Sequence, residues 1–289
     1  MIDYNPKAWF TFIFRFHKAD TVRKLIPMFI ALSAYSALIA FLELELLHLS
    51  PNSDLKQVTL VHSLLGFVIS LLLVFRTNSA YDRWWEGRKL WGSLVNNSRN
   101  LALKLNAILP ASNTASREYF RMMIGNYPFS LKNHLRNKYI PEEFQQAERM
   151  QLQPEKHVPN QIAAQIMVHV HELYRQGQIS GEQLLSLNPE LLSFTDICGA
   201  CERIKNTPIP FSYSIFIKKF IFFFVMTLPI GYVFTLHYLI IPVVVFVFYV
   251  LASLELIAEE IEDPFGFDAN DLPTDTISGN IRKHVAEIL

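Results

Sequence analysis

The chain has 289 residues, of which 51% are hydrophobic and 18% are charged, whereas an ordinary soluble domain is about 25% charged. This composition favours a membrane protein with a sizeable aqueous part over a purely soluble protein. Lys and Arg together number 26, as do Asp and Glu, and the sequence has no basic run and no RNA-binding signature, which excludes nucleic acid as a partner.

The first twenty residues mix charged side chains with aromatic ones. Their apolar residues predict a short amphipathic helix, interfacial or buried, that is too short to span a membrane. These residues are Trp9, Phe10, Phe12, Ile13, Phe14 and Phe16. The segment lacks a small-residue cleavage site and is not typical of a signal peptide, so we expect the first apolar span to remain in the mature chain.

Four apolar stretches each approach the roughly 20 residues that a hydrocarbon core of about 30 Å requires of a helix. They cover residues 25–47, 59–75, 220–236 and 238–254. Lys and Arg cluster before the first stretch, after the second and before the third, whereas the short turns within the two pairs carry only Lys56. Because such clusters mark the cytoplasmic side, the sequence predicts a four-span protein of a cell inner membrane. Both termini, the middle segment of residues 76–217 and the tail of residues 255–289 are expected to be cytoplasmic.

Every fourth residue of the second span forms a stripe that is polar at the outer end and bulky and apolar at the inner end. The stripe consists of Thr59, Ser63, Phe67, Leu71 and Phe75. By periodicity alone it faces lipid or packs on another helix. If several copies of the chain surround an axis, it instead forms apolar rings that gate ions by excluding water. His62 is costly in hydrocarbon, so we expect it either to contact a partner or, with Thr59 and Ser63, to line water at the outer entrance.

The middle segment has a helical pattern throughout. Apolar spacing continues the second span through residues 83–109, and further helices are predicted at residues 116–138, 160–176 and 181–205. Pro208 and Pro210 then separate this segment from the third span, and the tail returns to a helical pattern at residues 281–289. The sequence has no strand pattern of any length, so the predicted fold class is all-α.

Candidate catalytic and metal-binding groups are few. Cys198 and Cys201 have the spacing of a redox pair or of half a zinc site, but the redox motif needs a strand-to-helix setting and zinc needs more ligands, so we expect neither function. His169 and His171 point to different faces of one helix and cannot share a metal without distortion. The carboxylates of residues 255–263 are typical of a helix leaving the membrane, with an acid/base pair or a cation site as the alternative.

Three stretches, which occur in order along nearly the whole chain, resemble the bestrophin family and specifically its bacterial homologues. They are residues 75–86 (FRTNSAYDRWWE), residues 201–203 (CER) with 207–211 (TPIPF), and residues 260–266 (EIEDPFG) with 270–273 (NDLP). The resemblance implies that residues 1–289 form one protomer of an all-helical homopentameric ion channel. It also implies that the second helix of each protomer lines a narrow neck on the five-fold axis.

The resemblance assigns roles to particular residues of this chain. It places three neck rings on Phe67, Leu71 and Phe75, which are also the inner part of the stripe. It places a second constriction, at the cytosolic exit and just before the CER helix, on Glu182, where a ring of carboxylates would favour cations. Animal members bind Ca²⁺ through a run of acidic residues, but here Phe267 and Ala269 interrupt the acids, so we do not expect calcium binding.

The sequence leaves alternatives open both for the permeating ion and for the class of function. The resemblance to bacterial members ranks monovalent cations such as sodium ahead of chloride, which animal members favour, so an anion channel of the same architecture is the alternative. A membrane enzyme acting on lipids would have only His62 and the carboxylates of residues 255–263, which the predicted orientation puts at opposite membrane faces. A non-conducting scaffold is the remaining class.

Motifs of catalysis are absent from the sequence. It has no Gly-rich phosphate loop, no zinc-protease helix motif and no nucleophile elbow. We therefore expect no enzymatic activity, no cofactor and no resident metal. The expected partners are further copies of the chain, membrane lipids and the permeating monovalent ions.

Overall fold

A computed structural model describes residues 21–48 and 58–289 of the chain. The predicted amphipathic helix at residues 9–16 lies outside these ranges, as does Lys56. All regular secondary structure within them is helical, which confirms the predicted all-α fold class. The α-helices are α1 (Thr21–Phe41), α2 (Val58–Ile108), α3 (Thr114–Leu135), α4 (Ala147–Met150), α5 (Val158–Arg175), α6 (Gly181–Asn206), α7 (Phe211–Leu236), α8 (Ile240–Glu262) and α9 (Thr274–Ile288). Short turns of other helix types lie at Leu42–Leu46 (π), Pro141–Glu143 (3₁₀) and His237–Leu239 (3₁₀).

Helix α2 is the longest of these and runs for 51 residues without a proline. It joins the second apolar span to the first helical pattern of the middle segment, as the sequence predicts. Helix α2 ends at Ile108, two residues before Pro110, because a proline disfavours helical backbone in the residue that precedes it. Asn113 then starts α3 by accepting a hydrogen bond from the backbone N–H of Ser116 at 3.2 Å, which is a usual N-cap interaction.

Three helical stretches of the described residues are long and apolar enough to cross a membrane. They are Thr21–Leu46, Thr59–Ile108 and Phe211–Glu262. The third stretch contains α7 and α8, which correspond to the third and fourth predicted spans and meet at the turn His237–Leu239. His237 has a φ of 47°, a value that few residues other than glycine adopt, and it ends α7.

One compact unit contains the described residues up to Arg83 together with residues 208–262 and 268–270. Its apolar core is built from α1, α2, α7 and α8 and includes Leu32, Ile69, Ile221 and Val244. The ring of Phe29 on α1 meets the ring of Phe248 on α8 edge-on, with centroids 6.1 Å apart. We refer to this part of the chain as the first unit.

The second unit contains residues 84–207, 263–267 and 271–289. Its core includes Trp91, Tyr127, Ile166 and Phe194, none of which is exposed. The carboxyl-terminal helix α9 packs against α3, where the guanidinium carbon of Arg282 lies 3.7 Å from the centre of the Phe129 ring. A capping box between Ser180 and Gln183 starts α6, and such a box satisfies two backbone donors that a helix start leaves free.

Candidate functional site

The three predicted neck residues lie on one exposed face of α2. Phe67, Leu71 and Phe75 are 69%, 46% and 57% exposed in the single chain. A step of four residues overshoots one helical turn, so the stripe drifts by about 40° per step. The opposite face carries Ile69 and Leu73, which are buried in the core of the first unit. Within the part of the chain that the structure describes, the stripe is therefore not covered by the core of the first unit.

The outer part of the stripe is polar, as the sequence indicates. Ser63 is exposed and Thr59 is half-buried. The Ser63 hydroxyl donates to the Thr59 carbonyl at 3.1 Å, so this polar group is satisfied within the helix. The placement of Thr59 and Ser63 at the outer pore entrance remains a prediction.

His62 lies on a different face of α2, contrary to the expectation that it lines water beside Ser63. It is only 3% exposed, and its Nε2 lies 2.9 Å from the hydroxyl of Thr227 on α7. Its ring contacts those of Phe224 and Tyr232, with centroids 5.3 and 6.0 Å away. The physical reason is helical geometry: a separation of five residues turns His62 about 140° away from Phe67. His62 follows the alternative expectation, which was contact with a partner.

Arg76 directly follows Phe75, the last predicted neck residue, and points into the first unit. It is 1% exposed, and its Nη2 donates to a carboxylate oxygen of Glu262 at 2.7 Å. Its Nε lies 3.4 Å from the carboxylate of Glu255. A buried guanidinium needs partners of this kind, because an isolated charge away from water is strongly unfavourable. The segment of α2 next to the predicted neck residues is thus ion-paired to α8.

Glu262 belongs to one of the three stretches that carry the family resemblance, and it forms hydrogen bonds with residues of the other two. Its second carboxylate oxygen accepts the backbone N–H of Ile209 at 2.6 Å, and its carbonyl accepts from Arg83 Nε at 3.0 Å. Arg76 and Arg83 belong to the first stretch, Ile209 to the second and Glu262 to the third. These stretches lie far apart in the sequence, and no local pattern predicts their contact. A guanidinium directly after an apolar membrane stripe was the available signal, since such a group requires a buried acid.

The other carboxylates at the end of α8 are also paired. Lys24 on α1 donates to Glu260 at 2.7 Å, and Lys218 on α7 lies 3.0 Å from Glu259. The interpretation of a helix end leaving into water is therefore wrong for Glu255 and Glu260, which are 3% and 8% exposed. These acids hold α8 to its neighbours, and their ion pairs leave them poorly suited to serve as a free acid/base pair.

Glu182, the predicted exit constriction, lies in the second unit. It occupies the first turn of α6, which is the CER helix itself rather than a turn before it. The Ser180 hydroxyl donates to its carboxylate at 2.7 Å. This bond, together with a backbone N–H at the helix start, lowers the pKa of Glu182 below its ordinary value. Glu182 is exposed, so each copy of the chain offers one ionised carboxylate at this position near neutral pH.

The cysteine pair is buried in the second unit. Cys198 and Cys201 are 1% and 0% exposed, and both are free thiols. Burial raises the pKa of Cys198 to about 12, so the thiolate that redox exchange and metal binding both require is scarce near neutral pH. His169 and His171 remain apart as expected: the His171 Nδ1 contacts its own helix at the Met167 carbonyl.

One group of three metal-ligating side chains occurs among the described residues: His134, His157 and Glu202. The Nε2 atoms of His134 and His157 lie 2.6 and 2.7 Å from the same carboxylate oxygen of Glu202. The sequence does not predict this group, because the histidines lie 68 and 45 residues from Glu202 along the chain. No spacing rule for metal motifs covers such separations.

Comparison with known proteins identifies relatives along the whole chain. The model of a family described as "Bacterial/Fungal Bestrophin protein" matches residues 1–287. The voltage-dependent anion channel-forming protein YneE of Escherichia coli K12 is 33% identical over 287 residues, which cover 97% of this chain and 91% of that protein. The voltage-dependent anion channel-forming protein alr2987 of Nostoc is 35% identical over 231 residues, or 77% of this chain and 75% of that protein.

A solved structure shares the fold. The crystal structure of a bacterial bestrophin homologue from Klebsiella pneumoniae aligns with a TM-score of 0.79 and 28% sequence identity. The alignment covers 91% of this chain and 98% of that chain.

Proposed function

Because the chain belongs to the bacterial and fungal bestrophin family, we propose that it forms a channel that passes monovalent ions passively across a membrane. The observation that carries the proposal is the exposed stripe of Phe67, Leu71 and Phe75 on a helix whose opposite face is buried. A bulky apolar stripe on an otherwise anchored helix is suited to line an axis shared by several copies. Names of the relatives support a channel rather than an enzyme.

The proposed channel is a homopentamer in a cell inner membrane, with four spans per protomer and both termini cytoplasmic. Helices α7 and α8 provide the third and fourth spans. The orientation is supported by the Lys and Arg residues that flank the spans on the proposed cytoplasmic side. Five copies of α2 then present stacked apolar rings to the axis, which form the neck. Glu182 provides the proposed cytosolic exit constriction in the same assembly.

The neck is proposed to act as a barrier rather than as a filter. Rings of Phe and Leu offer no oxygen atoms to replace a hydration shell, so a narrow apolar constriction opposes all ions and opens when it becomes wet. Discrimination between ions must then come from charges elsewhere and from the orientation of the Phe rings. A ring face attracts cations, whereas a ring edge is positive and attracts anions.

Two ion classes are candidates. The curated relatives are named voltage-dependent anion channel-forming proteins. These names support anions such as chloride as the first candidate, which is the reverse of the order expected from the sequence. Cations such as sodium are the second candidate, because Glu182 is an exposed carboxylate whose pKa is lowered. Reversal potentials of the reconstituted protein under separate sodium and chloride gradients distinguish the two.

Ion flux from liposomes tests the neck. We expect Phe67→Ala, Leu71→Ala and the triple Ala variant that adds Phe75→Ala to raise flux above the wild-type level, because smaller rings admit water. Phe246→Ala is the matched control, since Phe246 is an equally exposed Phe on α8, at 65% against 69% for Phe67. Its flux should match the wild type.

Unchanged or lower flux in the triple variant, with an unchanged oligomer on a sizing column, would remove the stripe from the permeation path. Native mass spectrometry of the detergent-solubilised protein counts the subunits. Five subunits support the proposal, whereas a monomer with no flux supports the scaffold alternative.

A further inference from the structure

His134, His157 and Glu202 come from three different helices of the second unit. His134 lies in the last turn of α3, His157 is the N-cap residue of α5, and Glu202 lies on α6. The two imidazole rings face each other, with centroids 4.2 Å apart at an angle of 46°. Their side chains are 30–32% exposed, so the group is sheltered yet within reach of solvent.

The donor set fits a borderline metal ion rather than a hard one. Two imidazole nitrogens and one carboxylate oxygen are the ligands of open zinc sites, in which water takes the fourth position. Ca²⁺ and Mg²⁺ prefer oxygen ligands throughout, so this set disfavours both. An open cavity of about 420 Å³ is lined by His134 and His157 together with Lys138 and Tyr139, and it supplies room for the fourth ligand.

The three side chains need to move only slightly to reach the ligand spacing of a zinc site. Ligand atoms of a tetrahedral zinc site are about 3.3 Å apart, as follows from bond lengths of about 2.0–2.1 Å. Here each Nε2 lies 2.6–2.7 Å from the shared Glu202 oxygen. Outward movement of less than about 1 Å per side chain therefore accommodates an ion in place of the two hydrogen bonds.

The ring nitrogens of His157 have distinct roles. Its Nδ1 accepts the backbone N–H of Asn160 at 3.2 Å and caps α5. A neutral His157 therefore carries its proton on Nε2 and donates it to Glu202. When Nε2 binds a metal, the remaining proton of the neutral ring moves to Nδ1, and the cap to Asn160 is given up. Metal binding thus exchanges one helix cap for a bond between α5 and the ion.

We infer that His134, His157 and Glu202 form a binding site for a transition-metal ion of the Zn²⁺ class, which fastens α3, α5 and α6 of the second unit to one another. The inference concerns binding to the purified protein, so it does not depend on the proposed ion permeation. One of the helices that the metal ion would join, α6, also carries Glu182 in its first turn.

Zinc binding to the intact, detergent-solubilised protein tests the site. After removal of metal with a chelator, we expect equilibrium dialysis against Zn²⁺ to give one high-affinity ion per protomer and the thermal unfolding midpoint to rise. His157→Asn is the central variant, because Asn removes the imidazole but remains a favourable N-cap residue. His134→Gln and Glu202→Gln remove the other two ligands.

Each of the three variants should bind Zn²⁺ at least about 100-fold more weakly, since even the loss of a residue that only orients a metal ligand costs about 10–100-fold. His171→Gln, an exposed histidine on α5 that contacts its own helix, is the control and should bind like the wild type. Helical circular dichroism and elution volume verify folding of each variant. Equal Zn²⁺ affinity in His157→Asn and the wild type, or no high-affinity Zn²⁺ in the wild type, would overturn the inference.

Discussion

Arg76 and Glu262 form an ion pair of 2.7 Å in the first unit, with the arginine 1% and the glutamate 12% exposed at their side chains. Arg76 comes directly after Phe75, and Glu262 is the last residue of α8. The pair therefore fixes the inner end of the exposed stripe to another membrane helix. In the proposed channel, it holds the neck rings in place.

Removal of the buried arginine should strongly destabilise the protein. Arg76→Met leaves the buried carboxylate of Glu255 and the partly buried carboxylate of Glu262 without their guanidinium partner. Breaking a buried pair from one side costs about 3–5 kcal/mol. Lys218→Met is the matched control, because its pair with Glu259 is about half exposed and such pairs contribute about 0–1 kcal/mol. Thermal unfolding in detergent compares the two. Similar losses for both variants would contradict the structural role of Arg76.

Gly87 on α2 should not tolerate a methyl group. A Cβ at this position would lie 3.1 Å from Pro264 and 3.2 Å from the ring of Phe265. The helical gain of about 1 kcal/mol from Gly→Ala is then outweighed by a packing cost of about 1–3 kcal/mol. Gly199 on α6 has nothing within 4 Å of the same point, so Gly199→Ala should stabilise by about 0.5–1 kcal/mol. The two variants should shift the unfolding temperature in opposite directions, and a rise for Gly87→Ala would disprove the clash.

Acid should release the carboxyl-terminal helix α9. Asp275 accepts hydrogen bonds from Lys132 and Arg136, each at 2.8 Å. Burial alone would raise the pKa of Asp275, but the two hydrogen bonds outweigh it and hold the pKa below its ordinary value of 3.8. Because the folded-state pKa is the lower one, this stabilisation is complete above about pH 4 and is lost as the pH falls through the folded-state value.

A fluorophore on α9 detects that release. Lys283→Cys offers an attachment point that is exposed at 72% of its side chain, while both native cysteines are buried. We expect no change in probe mobility between about pH 7 and pH 4, and an increase as the pH falls below about 4. Asp275→Asn should remove the part of the transition that Asp275 contributes. An identical pH profile in the variant and the parent would show that Asp275 does not control docking of α9.

The spacing of apolar residues along the sequence predicts much of this fold. The continuous helix α2 follows from unbroken apolar spacing, and α6, at Gly181–Asn206, departs from its predicted range of residues 181–205 by one residue at its end. The stripe of Phe67, Leu71 and Phe75 follows from the helical period, and the same period, applied to His62, would have placed it on the other face. The contacts of Arg76 could not be predicted in this way. Glu262 lies 186 residues away, and tertiary packing alone decides which acid meets a buried guanidinium.

Reversal of one charge at Glu182 should change which ions cross the proposed channel. In a pentamer, five ionised carboxylates at one level attract cations and oppose anions, and five lysines do the reverse. Glu182→Lys should therefore shift the reversal potential of the reconstituted protein towards anion permeation. Glu148→Lys makes the same change at another exposed glutamate in the first turn of a helix, and it should leave the reversal potential unaltered. Ser180→Ala tests whether the charge of Glu182 alone matters. It removes the 2.7 Å hydrogen bond to the Glu182 carboxylate but leaves that carboxylate ionised at neutral pH, so the ion selectivity of the variant should equal that of the wild type.

An unchanged reversal potential in Glu182→Lys would take Glu182 out of the ion pathway. The rings of Phe67, Leu71 and Phe75 would then be the one proposed constriction that remains.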